Sequence, residues 1–395
     1  MPLPRSPSDM APDRLPLRQL LAFAVAGFLA IMTETMPAGL LPQISRSLGV
    51  SQAMAGQTVT LYAIGSVVAA IPIIAATGSW NRRPLFLSAI AGLLAFNTLT
   101  ALSAHYGLTL FARFVAGMSA GVVWGLVAGY ARRLAPPHLQ GRAMAIAGVG
   151  QPVALSLGVP LGAWLGNLSD WRLVFWLMSA VALLLLGWIR LGVPDFPGQA
   201  RHERLPAGQV LALPGIRPVL LVLGAWILAH NILYTYVAPL LDASRAGLRV
   251  DLVLFTFGLA SIGGLWGIGL LVDRHVRWLV LASLVAFAGA ALLLAHAQGA
   301  PGLVLTGVAI WGLTFGGAPT LLQAALGYCA GDHADVAQST FVTVFNLAVA
   351  GGGLIGGLVI DHLGADALPW AALPLAILAL MTSWRSQAHG FRVGR

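Results

Sequence analysis

The chain has 395 residues, of which 58% are hydrophobic and only 9% charged. Soluble domains carry about 25% charged residues, so a water-solvated globule is excluded. The formal charge of +9 could suggest nucleic acid, but all 22 basic residues are arginines set in short gaps between apolar runs, not gathered on one face.

Crossing a ~30 Å hydrocarbon core takes about 20 apolar residues. Twelve such runs follow one another, over 19–41, 54–77, 84–104, 107–130, 143–166, 172–191, 218–241, 252–272, 277–297, 302–327, 336–360 and 368–385. Each is predicted to be a helix, because an open strand would leave backbone groups unpaired in lipid. The first run is too long for a cleavable signal, and a second span follows it closely. If the N-terminus is cytoplasmic, seventeen arginines face inward and only Arg46, Arg172, Arg245 and Arg249 face outward, with Arg113 inside a span. That positive-inside bias predicts a multi-pass membrane protein with both termini in the cytoplasm.

The longest polar stretch, "GVPDFPGQARHERLPAGQVLALPGI", separates the sixth and seventh spans. The expected layout is a tail over 1–17, a six-helix bundle over 18–192, a linker over 193–216, a second bundle over 217–386 and a tail over 387–395. The bundles echo each other. "TMPAGLLP" at 35–42 matches "TYVAPLLD" at 235–242, which sets Tyr234 at the place of Glu34, and "GVPLG" at 158–162 is answered by "GLIGG" at 353–357. The fold class is therefore all-α integral membrane, twelve helices in two pseudo-symmetric halves, as in duplicated transporters.

Thirteen acids are present, and only Glu34 lies well inside a span. A charge at the bilayer centre costs about 2.5–3.5 kcal/mol on insertion scales, so Glu34 needs a partner or a change of protonation. Arg113, in the fourth span, is the only basic residue similarly embedded. Burial disfavours an ionised carboxyl and a nearby guanidinium favours it. An acid held between those influences could exchange a proton with each side in turn. The alternative is a permanent structural ion pair between Glu34 and Arg113.

A substrate cavity is expected around the seventh span, where "AHNILYTY" places His230, Asn231 and Tyr234 near mid-membrane, His230 and Tyr234 sharing a face. Gln151, Asn346, Gln323, Trp124 and Trp311 are the other embedded candidates. Aromatics with a few amides suit a planar, polar-edged ligand, although such side chains also join helices, and for the two tryptophans packing is the simpler role. His230 offers a second titratable site. Prolines inside spans (Pro37, Pro72, Pro152, Pro160, Pro239, Pro319) permit bending and are candidate hinges. One cysteine, Cys329, excludes a disulfide framework. No histidine or acid cluster has metal-ligand spacing and no nucleophile–base set is visible, so neither a metal, a cofactor nor an enzyme is expected.

Several stretches resemble a known family. "RFVAGMSAG" from Arg113 resembles the fourth-helix motif of the major facilitator superfamily. "GQPVALSLGVPLG" at 150–162 resembles the fifth-helix motif of its drug:proton antiporters, with the glycine–proline turn loosened to Gly158-Val159-Pro160 before Gly162. "DWRLVF" at 170–175 and "GVAIWGLTFGGAP" at 307–319 are similar to the bacterial efflux permeases for purine nucleosides, sugars and chloramphenicol-like drugs. The resemblance implies a monomeric, proton-driven exporter of a small molecule in the bacterial inner membrane, partnered by lipid and not by nucleic acid, with Glu34 at the proton-carrying place. One departure stands out. "ATGSWNRRP" keeps the gating arginines Arg82 and Arg83 without an acid, whereas "GLLVDRHVR" in the second half keeps Asp273 and Arg274. The gate is therefore expected to be latched asymmetrically. A facilitator or symporter on the same fold, or a membrane sensor that has lost transport, are the alternatives.

Overall fold

The computed structural model describes residues 15–70, 73, 76–77, 79–198, 213–330, 334–387 and 390–391. Among them there is no strand. Eleven helices are long and apolar enough to cross a membrane: α1 (Leu17–Gly39), α3 (Arg82–Leu102), α4 (Tyr106–Leu134), α5 (Gln140–Leu168), α6 (Trp171–Gly192), α7 (Ile216–Thr235), α8 (Val250–Val272), α9 (Arg274–His296), α10 (Pro301–Ala330), α11 (Ala337–Leu363) and α12 (Ala365–Arg385). The described part of α2, Gln52–Ala70, stands between α1 and α3. Pro72 lies outside the described residues.

Two predicted spans end early, and proline accounts for both. The run 19–41 stops at Gly39 and restarts as a short helix, Leu41–Leu48. The run 218–241 stops at Thr235 and restarts as Val237–Ser244. Proline lacks an N–H and its ring displaces the carbonyl four residues back; for Pro42 and Pro239 those carbonyls belong to Ala38 and Thr235, at the two breaks. Both short helices end in a left-handed residue, Gly49 (φ 64°) and Arg245 (φ 53°). α5 is also irregular, with a π-helical turn at Ala154–Gly158 between Pro152 and Pro160. Such turns recur at functional sites.

The breaks also correct the internal register. Leu40 and Gly49 in the first half correspond to Tyr236 and Arg245 in the second, so Glu34 is matched by His230, not by Tyr234. The sequence match had slipped by four residues, and a slip of about one turn keeps every side chain on the same helix face. A register one residue shorter pairs α2 and α4 with α8 and α10. A Cβ on Gly117 or Gly121 would collide with the Tyr62 or Ser66 carbonyl of α2, and one on Gly312 or Gly316 with the Phe257 or Ser261 carbonyl of α8. Small residues here let backbones touch where lipid offers no hydrophobic drive for association.

Each half packs mainly on itself, α2 on α4, α3 on α6, α8 on α10 and α7 on α12, while the halves meet along α2–α11, α5–α8 and α1–α7. α1 and α7 sit at this seam and are buried along most of their length. An even number of crossings puts both ends of the helical array on one face, called here the terminal face; the short helices mark the distal face.

Candidate proton and substrate site

In α1, Pro37 leaves the Thr33 carbonyl without its helical donor. Arg113 of α4, fully buried, fills that vacancy: Nη2 donates to the Thr33 carbonyl and, at 3.4 Å, to the Glu34 carbonyl, and Nε donates to the Thr58 carbonyl at 3.3 Å. Its guanidinium lies 4.7 Å from the Tyr62 ring and 5.7 Å from that of Phe175, in cation–π range. Tyr62 donates its hydroxyl to the Ala30 carbonyl at 2.8 Å, and Asn97 donates to Thr33 Oγ1 at 2.9 Å. Arg113 is thus held by main-chain oxygens and rings.

The Glu34 side chain is only 7% exposed, yet among the described residues its carboxylate has no ion pair and no hydrogen bond. The permanent ion pair with Arg113 is therefore not formed. Arg113 bonds the main chain of Glu34 and not its carboxylate, and its Nη1 has no partner among the described residues.

Opposite, α7, α8 and α10 build an aromatic box. The His230 ring stacks on Phe315 with centroids 3.4 Å apart, and Tyr234, Trp311 and Phe257 stand 5.1, 5.5 and 5.8 Å from it. Trp311 Nε1 donates to His230 Nδ1 at 3.0 Å. An imidazole that accepts at Nδ1 is neutral with its proton on Nε2, so His230 as proton carrier would have to surrender this bond. Asn231 and Asn346 each turn their amide back to a carbonyl one turn earlier, Ile227 and Val342. Trp124 packs on α1 at Gly27. Gln151 is half-buried on α5 and Gln323 is exposed on α10, and neither joins the aromatic box.

Helix α5 reaches α1 through its motif glycines. A Cβ on Gly158 would press on Met32 and Phe28, and one on Gly162 on Met36; Pro160 beside them is buried. Beyond the acid, the distal face is sealed by a polar knot that sequence reading did not reveal. Tyr236 donates to the Gly353 carbonyl of α11 at 2.7 Å and to the Ala53 carbonyl at 3.3 Å. Gln57 of α2 donates to Gly353 O at 3.3 Å and to Tyr236 Oη at 3.4 Å. Gly56, Gly356 and Gly357 leave the room for that ring.

On the terminal face the acid absent from "ATGSWNRRP" comes from elsewhere. Asp195, just beyond α6, accepts from Asn81 Nδ2 at 2.9 Å and from the Arg83 backbone N–H at 3.0 Å. Arg83 also donates to the Val193 carbonyl, and the Arg82 N–H to the Phe196 carbonyl. In the second half Arg274 is exposed, the Asp273 side chain lies outside the described residues, and the buried Arg277 does the corresponding work, donating to the Ser383, Trp384 and Phe391 carbonyls. Each half therefore has an arginine at the start of its third helix tied to the end of its sixth, a symmetry that the gating motif alone hides.

Apolar crossing helices in two repeats, with an acid and an aromatic box facing each other at the seam, have the architecture of a multi-pass membrane carrier. The chain belongs to the Major Facilitator Superfamily, whose family model matches residues 23–352. It is 31% identical over 370 residues, 91% of each chain, to the transcription regulatory protein OpdE of Pseudomonas aeruginosa PAO1. It is 31% identical over 353 residues, 87% of each chain, to the purine ribonucleoside efflux pump NepI of Escherichia coli K12. Its fold matches the crystal structure of the human organic anion transporter MFSD10 with a TM-score of 0.69, at 19% identity, over 94% of this chain and all of that one.

Proposed function

We propose that this protein is a proton-coupled antiporter that exports a small planar, polar-edged molecule of the purine nucleoside kind across the bacterial inner membrane by alternating access. The observation that carries the reading is Glu34: a carboxylate buried at the seam of the halves and left without an ion pair. A group so placed is expensive to keep ionised and has no structural duty to explain it. The arginine bias supports reading the terminal face as the cytoplasmic one, and the hydrogen bonds that join the halves on the distal face support reading this form as the inward side of the cycle. Proton and substrate favour alternate occupancy of the seam, which is what makes the exchange antiport. The proton gradient is the drive, with no cofactor: one charge crossing 100 mV releases about 2.3 kcal/mol, enough for a roughly 50-fold gradient of a neutral substrate. The carrier works as a monomer.

The test uses proteoliposomes with an acidic lumen and a tritiated purine ribonucleoside. Accumulation inside, collapsed by a protonophore, is expected of the wild type; Glu34→Gln should lose accumulation and keep downhill exchange. Accumulation only with an alkaline lumen would make the protein a symporter. A second reading, a membrane sensor without transport, is favoured by the name of the Pseudomonas relative; binding of the probe without any flux would decide for it.

A further inference from the structure

The proton-carrier reading leaves one question open: how the second half registers the state of an acid that belongs to the first. The Glu34 carboxylate has no hydrogen-bond partner among the described residues, and neither has the hydroxyl of Tyr234, a residue only 3% exposed. An unpaired buried hydroxyl costs about 1–3 kcal/mol, so it is kept for a partner that is present at some stage of the cycle. The Tyr234 ring cannot turn away to find another. It is clamped by His230, Phe257 and Trp311 at centroid distances of 5.1, 5.3 and 6.2 Å. α1 and α7 touch along the seam, so the two groups stand on helices in contact. The corrected register adds a reason for the asymmetry: Tyr234 corresponds to Ala38, so a tyrosine on one side meets no tyrosine on the other and is free to face the acid.

We propose that Tyr234 is a positioning residue for the proton carrier, its hydroxyl donating to the ionised Glu34 carboxylate across the seam, directly or through one water molecule. A bond to an ionised acceptor is roughly twice as strong as one to a neutral acceptor. The ionised, empty carrier is then held with its distal face closed, and protonation of Glu34 loosens the hold. In an antiporter the empty carrier must not change sides, because each empty transition wastes a proton or lets substrate slip. The inference rests on the reading of Glu34 as the proton carrier. The other ionisable groups packed around α1 here, among the described residues, are Arg113 of α4, which donates to the Glu34 carbonyl, and Tyr62 of α2, whose ring lies against Arg113. Tyr62 is committed to the Ala30 carbonyl, and Arg113 is held by carbonyls of α1 and α2 through Nη2 and Nε, with Nη1 left over.

The experiment follows the thermal unfolding of the full-length protein in detergent as a function of pH, with protons the only ligand. The wild type is expected to show a step in Tm, and Glu34→Gln to lose it. Tyr234→Phe, which removes one oxygen from a clamped ring, should displace the step to higher pH by about half to one unit. In the Glu34→Gln background the same change should do nothing further to the pH dependence. In proteoliposomes, Tyr234→Phe should raise proton-independent downhill flux of a tritiated purine ribonucleoside several-fold while lowering uphill accumulation. A step that Tyr234→Phe leaves in place, or an equal change in both backgrounds, overturns the role of Tyr234 and leaves that of Glu34 standing. A step that survives Glu34→Gln overturns the proton-carrier reading itself.

Discussion

Tyr62 of α2 and Phe257 of α8 occupy matching places in the two halves, where α2 meets Gly117 and α8 meets Gly312. Tyr62 sends its hydroxyl to α1 and lies under the Arg113 guanidinium. Phe257 has no hydroxyl and lies against His230 and Trp311. The two registers, one for α1 and α7 and one for α4 and α10, carry the contrast further. Glu34 is matched by His230, Arg113 by Val308, and the small buried Ala116 and Ala120 by the large Trp311 and Phe315. The same backbone frame thus holds a charged, hydrogen-bonded core in one half and an aromatic core in the other. On the proposed function the duplicated fold separates its tasks, with the proton handled where main-chain carbonyls anchor a cation and the planar ligand met where rings are stacked.

The comparison breaks first at Arg113. Arg113→Met should strand the Thr33 carbonyl, which Pro37 leaves without a helical donor, and remove the charge-assisted ties to α1 and α2, lowering stability by on the order of 3 kcal/mol and abolishing transport. Arg113→Lys should not restore it, since an ammonium lacks the fork that reaches two helices at once. Unfolding temperature and uphill flux check both; a stable, active methionine variant would mean that the charged core is dispensable.

His230→Phe tests the other side. It keeps the box filled and strands only Trp311 Nε1, so a stability loss of about 1–2 kcal/mol is expected, with proton coupling retained. Loss of the pH dependence of transport in this variant would move the proton site into the second half. Smaller again is the effect of Tyr236→Phe, which removes the donor to Gly353 and Ala53 from the distal knot. At about 1 kcal/mol it should shift the balance toward the distal-open form roughly fivefold. Distances between spin labels on the two short distal helices, Leu41–Leu48 and Val237–Ser244, read that shift.

The crossing helices were legible in the sequence because lipid forbids anything but long apolar runs, and Glu34 was legible as the one acid that breaks them. The partners of those residues were not. Arg113 was read as a partner for the acid, but Pro37 had already created a stronger claim, an orphaned carbonyl at Thr33. The helix breaks at Leu40 and Tyr236 were implicit in Pro42 and Pro239 and would have corrected the register of the repeat. Asp195 completes a motif from which it is separated by more than a hundred residues, and the Gln57–Tyr236–Gly353 knot unites three helices. Nothing local marks either one.

Infrared difference spectroscopy on the purified protein through a pH step tests the central claim most directly, because a protonated carboxyl in a dry site has a resolved C=O stretch. A band that rises as the pH falls through the working range and is missing from Glu34→Gln is the predicted result. A spectrum without that band, or one unchanged by the substitution, would contradict the assignment of Glu34 as the group that carries the proton.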